Sequence, residues 1–156
     1  MAQEQRQWAQ AEQTCRQALD IYIEFNDRYY QANVYHQLGM VAQGQRQWAQ
    51  AEQYYRQALD LKIEFNDRYS QASTYGQLAL LEQERENWSQ SAGYFVETLR
   101  IFAEFGDQHY VTVTLGNLAR LHRASGDASV LAATAQVLGV TAEQVAALFA
   151  GVGGTR

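Results

Sequence analysis

Apolar and small residues return along this chain at alternating intervals of three and four, first at Trp8, Ala11, Cys15, Ala18, Tyr22 and Phe25. That spacing sets side chains on one stripe of an α-helix. Leu19 and Ile23 widen the stripe. The same order returns at Trp48, Ala51, Tyr55, Ala58 and Phe65, widened by Leu59 and Ile63, with Lys62 standing where Tyr22 stood. Other helical stripes lie between and after these: Tyr35, Leu38 and Val41, then Tyr75, Leu78 and Leu81, then Leu115, Leu118 and Leu121. No segment alternates apolar and polar residues as a strand would. Proline is absent, and the frequent Gln, Ala, Arg, Glu and Leu all tolerate helix. The pattern predicts an all-α chain.

The breaks between stripes carry turn chemistry. Asn26-Asp27, Asn66-Asp67 and Gly106-Asp107 each follow a stripe. Asn and Gly tolerate the left-handed backbone that closes a helix, and Asp caps the next one. Further turns are expected near Gly44, over residues 84–87 and at Gly126-Asp127. Connections this short make consecutive helices antiparallel neighbours. After Asp127 the pattern changes: Ser129 begins a short apolar helix that Gly139 stops, and Thr141 can cap a last helix over 141–150. Residues 151–156 read as a flexible tail.

The stripes repeat because the sequence does. Residues 5–44 and 45–84 are identical at 27 of 40 positions, and a more divergent copy begins at Arg85 with Trp88, Leu99, Glu104, Phe105 and Asp107 in register. A fixed period of this size marks a solenoid of stacked units, which presents an extended surface. The predicted division is one solenoid over 1–150, with an unpaired helix at 5–26, helix pairs at 28–66, 68–106 and 108–138, and a capping helix at 141–150. Residues 1–7 echo 41–47, so the first helix is expected to lack its pair partner and to leave Trp8 and Ala11 partly exposed. An open apolar face of this kind fits a fragment of a longer array, or a homodimer through the N-terminal helix or the C-terminal helices.

Composition narrows the function classes. The net charge of −5 lacks the basic footprint of a nucleic-acid binder. One cysteine permits no internal disulfide and suits a reducing, cytoplasmic setting. No apolar run approaches the length of a membrane span. His36, His109 and His122 have no second ligand at metal-site spacing, and Cys15, on a packed stripe without a paired His, is expected to be inert core. The glycines at 151, 153 and 154 precede no helix and form no phosphate loop. No enzyme, cofactor or metal is expected.

Tyr35, Leu38, Gly39, Trp48, Ala51, Tyr55 and Ala58 fall in register with the signature of the tetratricopeptide repeat family, which the chain resembles. Tyr75, Leu78, Ala79, Trp88, Ser91, Phe95 and Thr98 follow it less closely, and Leu115, Leu118, Ala119, Gly126 and Asp127 match the start of another unit. The family's proline after the second helix is missing, and the period is 40 rather than about 34. Such long-period arrays resemble those of kinesin light chains and of bacterial signalling NTPases of the STAND class. The resemblance implies an α-solenoid of antiparallel helix pairs wound as a right-handed superhelix, binding a protein or peptide in its concave groove. Self-assembly and a ligand-sensing arm of a larger signalling protein are the alternatives.

The groove positions carried over by that resemblance are Asn33, His36, Met40, Gln43 and Gly44. Next come Ser73, Gly76, Leu80, Gln83 and Glu84, then Val113, Gly116, Arg120, Arg123 and Ala124. Of the 13 differences between the two close copies, 9 fall at or beyond residue 30, and four of the five groove pairs differ. A shared scaffold with a specialised face would look like this, and so would drift at exposed positions after a duplication. Arg120 and Arg123 suit an acidic group, while Met40 and Leu80 suggest an apolar contribution. The clamp of Lys, Asn and Arg that chaperone-binding members use is absent from these positions.

Overall fold

The computed structural model describes residues 1–152, all of whose regular structure is helical. The helices are α1 (Ala2–Glu24), α2 (Arg28–Gly44), α3 (Trp48–Glu64), α4 (Arg68–Glu84), α5 (Trp88–Glu104), α6 (Gln108–Ser125), α7 (Ser129–Leu138) and α8 (Ala142–Val152). Gly151 and Val152 close the last turn of α8 rather than starting the tail expected from residue 151, and residues 153–156 of that expected tail lie outside the described residues. Consecutive helices pack pairwise, which makes the chain an α-solenoid. Its contacts divide it into two compact units, residues 1–81 and 82–156, with the division in the last turn of α4.

The local chemistry of the turns explains the helix ends. Asn26 and Asn66 take φ +53° and Gly106 takes φ +67°. Each is followed by an Asp that accepts a backbone N–H of the next helix: Asp27 from Tyr30 at 3.2 Å, Asp67 from Ser70 at 3.1 Å, and Asp107 from Tyr110 at 3.2 Å. A cap of this kind stabilises a helix start by about 1 kcal/mol. Gly126 and Gly139, at φ +65° and +67°, end α6 and α7. Thr141 and Gln144 bond reciprocally, hydroxyl to N–H and amide to N–H, and start α8 as a capping box.

The turn after α2 lies next to Gly44 as expected, but Gly44 itself does not make it. Gly44 is helical, and the left-handed residue is Arg46 at φ +60°, with Glu86 at the same angle after α4. Gly44 is needed for a different reason: a Cβ there would stand 2.5 Å from the Trp8 ring of α1. Gly39 plays the same part inside the next pair, where a Cβ would meet the Tyr55 ring at 2.5 Å.

In the first unit the core lies where α2 and α3 cross. Leu38, Ala51, Tyr55 and Ala58 are buried, and the Tyr55 hydroxyl donates to Gln43 Oε1 at 2.7 Å. Burial of a large apolar side chain contributes on the order of 2 kcal/mol, and the hydroxyl's partner removes the penalty of hiding it. Helix α1 has no buried residue, although it meets α2 through Trp8 and a Tyr22–Tyr30 stack at 5.5 Å. Cys15 is therefore half-buried rather than core. Its thiol donates weakly to Gln37 Oε1 at 3.8 Å, and desolvation raises its pKa.

The second unit packs Phe95, Leu99, Ile101 and Phe102 of α5 with Leu118 and Leu121 of α6, Val130 of α7, and Val145 and Phe149 of α8. Helix α8 rests on α6 and α7. No single described helix is long and apolar enough to cross a membrane.

Candidate functional site on the repeat helices

The positions assigned to the concave face differ in how open they are. In the first unit Asn33, Met40 and Ser73 are exposed, while His36, Gln43, Gly76 and Leu80 are half-buried. Gln43 is drawn inward as the acceptor for Tyr55, and the Ser73 hydroxyl donates to Ser70 O at 2.8 Å. Gly44 is taken up by Trp8. Helix α2 thus presents Asn33, His36 and Met40 along one side, and α4 presents Ser73, Gly76 and Leu80.

In the second unit the stripe on α6 is partly covered, against expectation. Gly116 is buried, and a Cβ on it would lie 3.6 Å from the Val152 side chain of α8. Arg123 donates to Phe149 O at 3.5 Å, and the His122 ring lies 6.0 Å from the Phe149 ring. The reason is that Val145 and Phe149 need an apolar seat, and small Gly116 lets α8 approach. Val113 and Arg120 stay exposed, with Arg120 donating to Asn117 Oδ1. Gln83 is half-buried, while Glu84 and Ala124 are exposed. Both cations are exposed, Arg123 bonded to a carbonyl of α8 and Arg120 to a side chain of its own helix.

A feature that the groove pattern did not single out sits beneath His36. Lys62 of α3 is only 4% exposed. Its ammonium donates to Thr74 Oγ1 at 2.8 Å and to Ser70 O at 3.2 Å, both on α4. His36 Nδ1 lies 3.1 Å from the same Thr74 oxygen, and its ring is tilted on Tyr55 with centroids 5.6 Å apart. The Gln71 amide donates to Lys62 O at 3.3 Å and ties α4 to the same turn of α3. Burial lowers the Lys62 pKa to about 8, with Asp67 opposing the shift. Burial, reinforced by the Lys62 charge, lowers His36 to about 4. Desolvation pushes the Asp67 carboxyl up, but hydrogen bonds from Ser70 and Tyr29 outweigh it and hold the group below its usual value.

The signal for this cluster was present in the repeats. Tyr22 stacks on Tyr30 at 5.5 Å, and Phe102 stacks on Tyr110 at 4.8 Å. At the corresponding positions of the middle copy stand Lys62 and Ser70. Both members of an aromatic pair change together, because a lysine amine in the place of one ring needs oxygen acceptors where the other ring would lie. Among the described residues, no three His, Cys, Asp or Glu side chains form a group that could hold a metal ion.

Comparison with known proteins agrees with this architecture. Residues 1–64 match the family model described as tetratricopeptide repeat. Among solved structures, the crystal structure of BtubC (BKLC) from P. vanneervenii is similar with a TM-score of 0.74 and 21% identity, over 88% of this chain. The matched part spans 57% of that chain's length. No curated protein matches. Residues 1–64 thus carry the tetratricopeptide match, and the similar solved structure extends the likeness in fold over most of the chain.

Proposed function

We propose that this chain is a scaffold that binds a protein or peptide on the exposed stripes of its first-in-pair helices, on α2 and α4 in the first unit and, separately, on α6 in the second. Tetratricopeptide repeats are generally protein-interaction modules and typically non-catalytic. The observation that carries the reading is the distribution of differences between two nearly identical copies. The crossing residues Leu38/Leu78, Ala51 and Ala58 recur in kind, whereas Asn33/Ser73, His36/Gly76 and Met40/Leu80 do not. Side chains held on packed helices lose little freedom when a partner arrives, so binding there costs less ordering entropy. A reducing, cytosolic setting belongs with this reading, supported by the single half-buried Cys15.

The test is selection from a displayed peptide library. One variant carries Asn33→Ala, His36→Ala, Met40→Ala and Ser73→Ala, and another carries Val113→Ala and Arg120→Ala. Selected peptides are expected to bind the unaltered chain and to lose at least about tenfold in affinity for one variant, with helical circular dichroism unchanged. Peptides that hold all three proteins equally would overturn the reading.

Self-association is a second reading, favoured by α1. Ile21, Ile23 and Phe25 are 53%, 52% and 75% exposed on a helix without a buried residue. Light-scattering mass that rises with concentration, and returns to that of one chain when Ile21 and Phe25 become Gln, is the expected signature.

A further inference from the structure

Lys62, Thr74 and His36 form a relay in which the direction of each hydrogen bond follows from the one before. The Lys62 ammonium can only donate, so Thr74 Oγ1 accepts from it. The single Thr74 hydroxyl proton then has His36 Nδ1, at 3.1 Å, as its acceptor. A neutral imidazole with Nδ1 accepting carries its proton on Nε2. Among the described residues Nε2 has no hydrogen-bond partner, and His36 lies on the α2 side that also presents exposed Asn33 and Met40. The relay therefore leaves an N–H donor at the surface of the first unit, with a nearly buried cation behind it.

The charge around this donor is one-sided. The acceptors of the Lys62 ammonium, Thr74 Oγ1 and Ser70 O, are neutral. The carboxylate that acts on it, Asp67, caps α4 and accepts from Tyr29. The other titratable group against the His36 ring is Tyr55 of α3, whose hydroxyl donates to Gln43. The stripe beside His36 is uncharged, with exposed Asn33, Gln37 and Met40 on α2, and exposed Ser73 and half-buried Gly76 on α4. No anion lies on that stripe to satisfy the donor, and a buried ammonium acts over a longer range than a solvated one.

We propose that His36 is a hydrogen-bond donor for a carboxylate of the bound partner, set in that role by the buried Lys62–Thr74 relay. The proposal deepens the scaffold reading and rests on it. A charge-assisted bond to an anion is stronger than one to a neutral acceptor. An acidic group at this point on the partner is therefore selected over its amide. The same position in the next copy is Gly76, which offers no donor, so the preference belongs to one site on the array.

The experiment uses the full chain with labelled histidine and three probes at matched ionic strength. These are N-acetylglutamate N-methylamide, its glutamine counterpart, and N-acetylglycine as a chain-terminal carboxylate. Nitrogen shifts of the free protein are expected to place the His36 proton on Nε2. The glutamate probe is expected to shift His36 with about tenfold tighter binding than the glutamine probe. Lys62→Met should bring that ratio near one and raise the His36 pKa from about 4 toward its usual value. Its folding is checked by the unchanged Tyr22–Tyr30 contacts.

N-acetylglycine binding as well as the glutamate probe would keep the carboxylate and assign it to a chain end. Equal response to the glutamate and glutamine probes, no response to any probe, or a proton on Nδ1 would overturn the proposal. The scaffold reading stands apart from these outcomes, because library peptides that need Asn33 and Met40 but are indifferent to acid against amide would uphold it alone.

Discussion

Helices α1 and α3 are spelled almost alike: between residues 8–24 and 48–64 only four positions differ. Their burial is nonetheless unlike. Ala51, Tyr55, Ala58 and Lys62 of α3 are buried, whereas the matching Ala11, Cys15, Ala18 and Tyr22 of α1 are half-exposed. The difference lies in the neighbours. Helix α3 has α2 as its pair partner, with Gly39 opening room for the Tyr55 ring. Helix α1 packs on α2, where Gly44 takes the Trp8 ring, and reaches α3 through a hydrogen bond from Arg16 to the Tyr54 hydroxyl. The same stripe is therefore core on α3, which α2 covers, and half-exposed on α1.

The largest expected effect tests that contrast directly. Ala51→Leu should lower stability by about 1–3 kcal/mol, because the fully buried crossing has no room for added methyl groups. Ala11→Leu, at the matching half-exposed position, should stay within about 0.5 kcal/mol. Denaturant midpoints of the two variants measure this, and equal losses would break the comparison.

Lys62 and Tyr22 sharpen the comparison at one position. The folded Lys62 pKa of about 8 lies below the ordinary value of 10.5. Between those two pH values the unfolded chain binds more protons than the folded one, so stability rises with pH across that window. His36, lowered from 6.5 to about 4, gives a separate rise as pH climbs from 4 to 6.5. Lys62→Met should abolish the alkaline rise and, at neutral pH, raise stability by about 1–2 kcal/mol. Unfolding measured as a function of pH checks both. An alkaline rise that survives in the variant would place the shifted proton elsewhere.

The smallest effect concerns the two turns that flank α2. The turn before it uses Asn26 at φ +53°, a residue that tolerates the left-handed region, whereas the turn after it uses Arg46 at φ +60°. Arg46→Gly should gain about 0.5–1 kcal/mol by relieving that strain, and Asn26→Gly less. Thermal midpoints that move equally would show the two turns to be equally relaxed.

Much of this molecule was legible in its sequence, because the determinants are local. The three-and-four spacing sets each helix, Asn or Gly followed by Asp ends one and starts the next, and Thr141 with Gln144 starts α8. Trp8 and Ala11, expected to be partly exposed, are half-exposed in the structure. Asn33 and Met40 were placed among candidate contacts by the family resemblance, and both are exposed.

What the sequence left open depends on partners distant along the chain. Gly44 has the composition of a turn residue, but the approach of Trp8 from another helix makes it a packing residue, and the strained turn falls on Arg46. Gly116 matches an open stripe position, but α8 settles over it because Val145 and Phe149 must leave water. Lys62 stands on the stripe where the other copies have Tyr22 and Phe102, and only the facing turn of α4, with Ser70 in place of a tyrosine and Thr74 beside it, supplies the oxygens that let its charge be buried. Periodicity and capping are properties of neighbouring residues and so are fixed by the sequence alone. Which face is covered, and which charge is enclosed, depends on shapes that meet only when the helices pack.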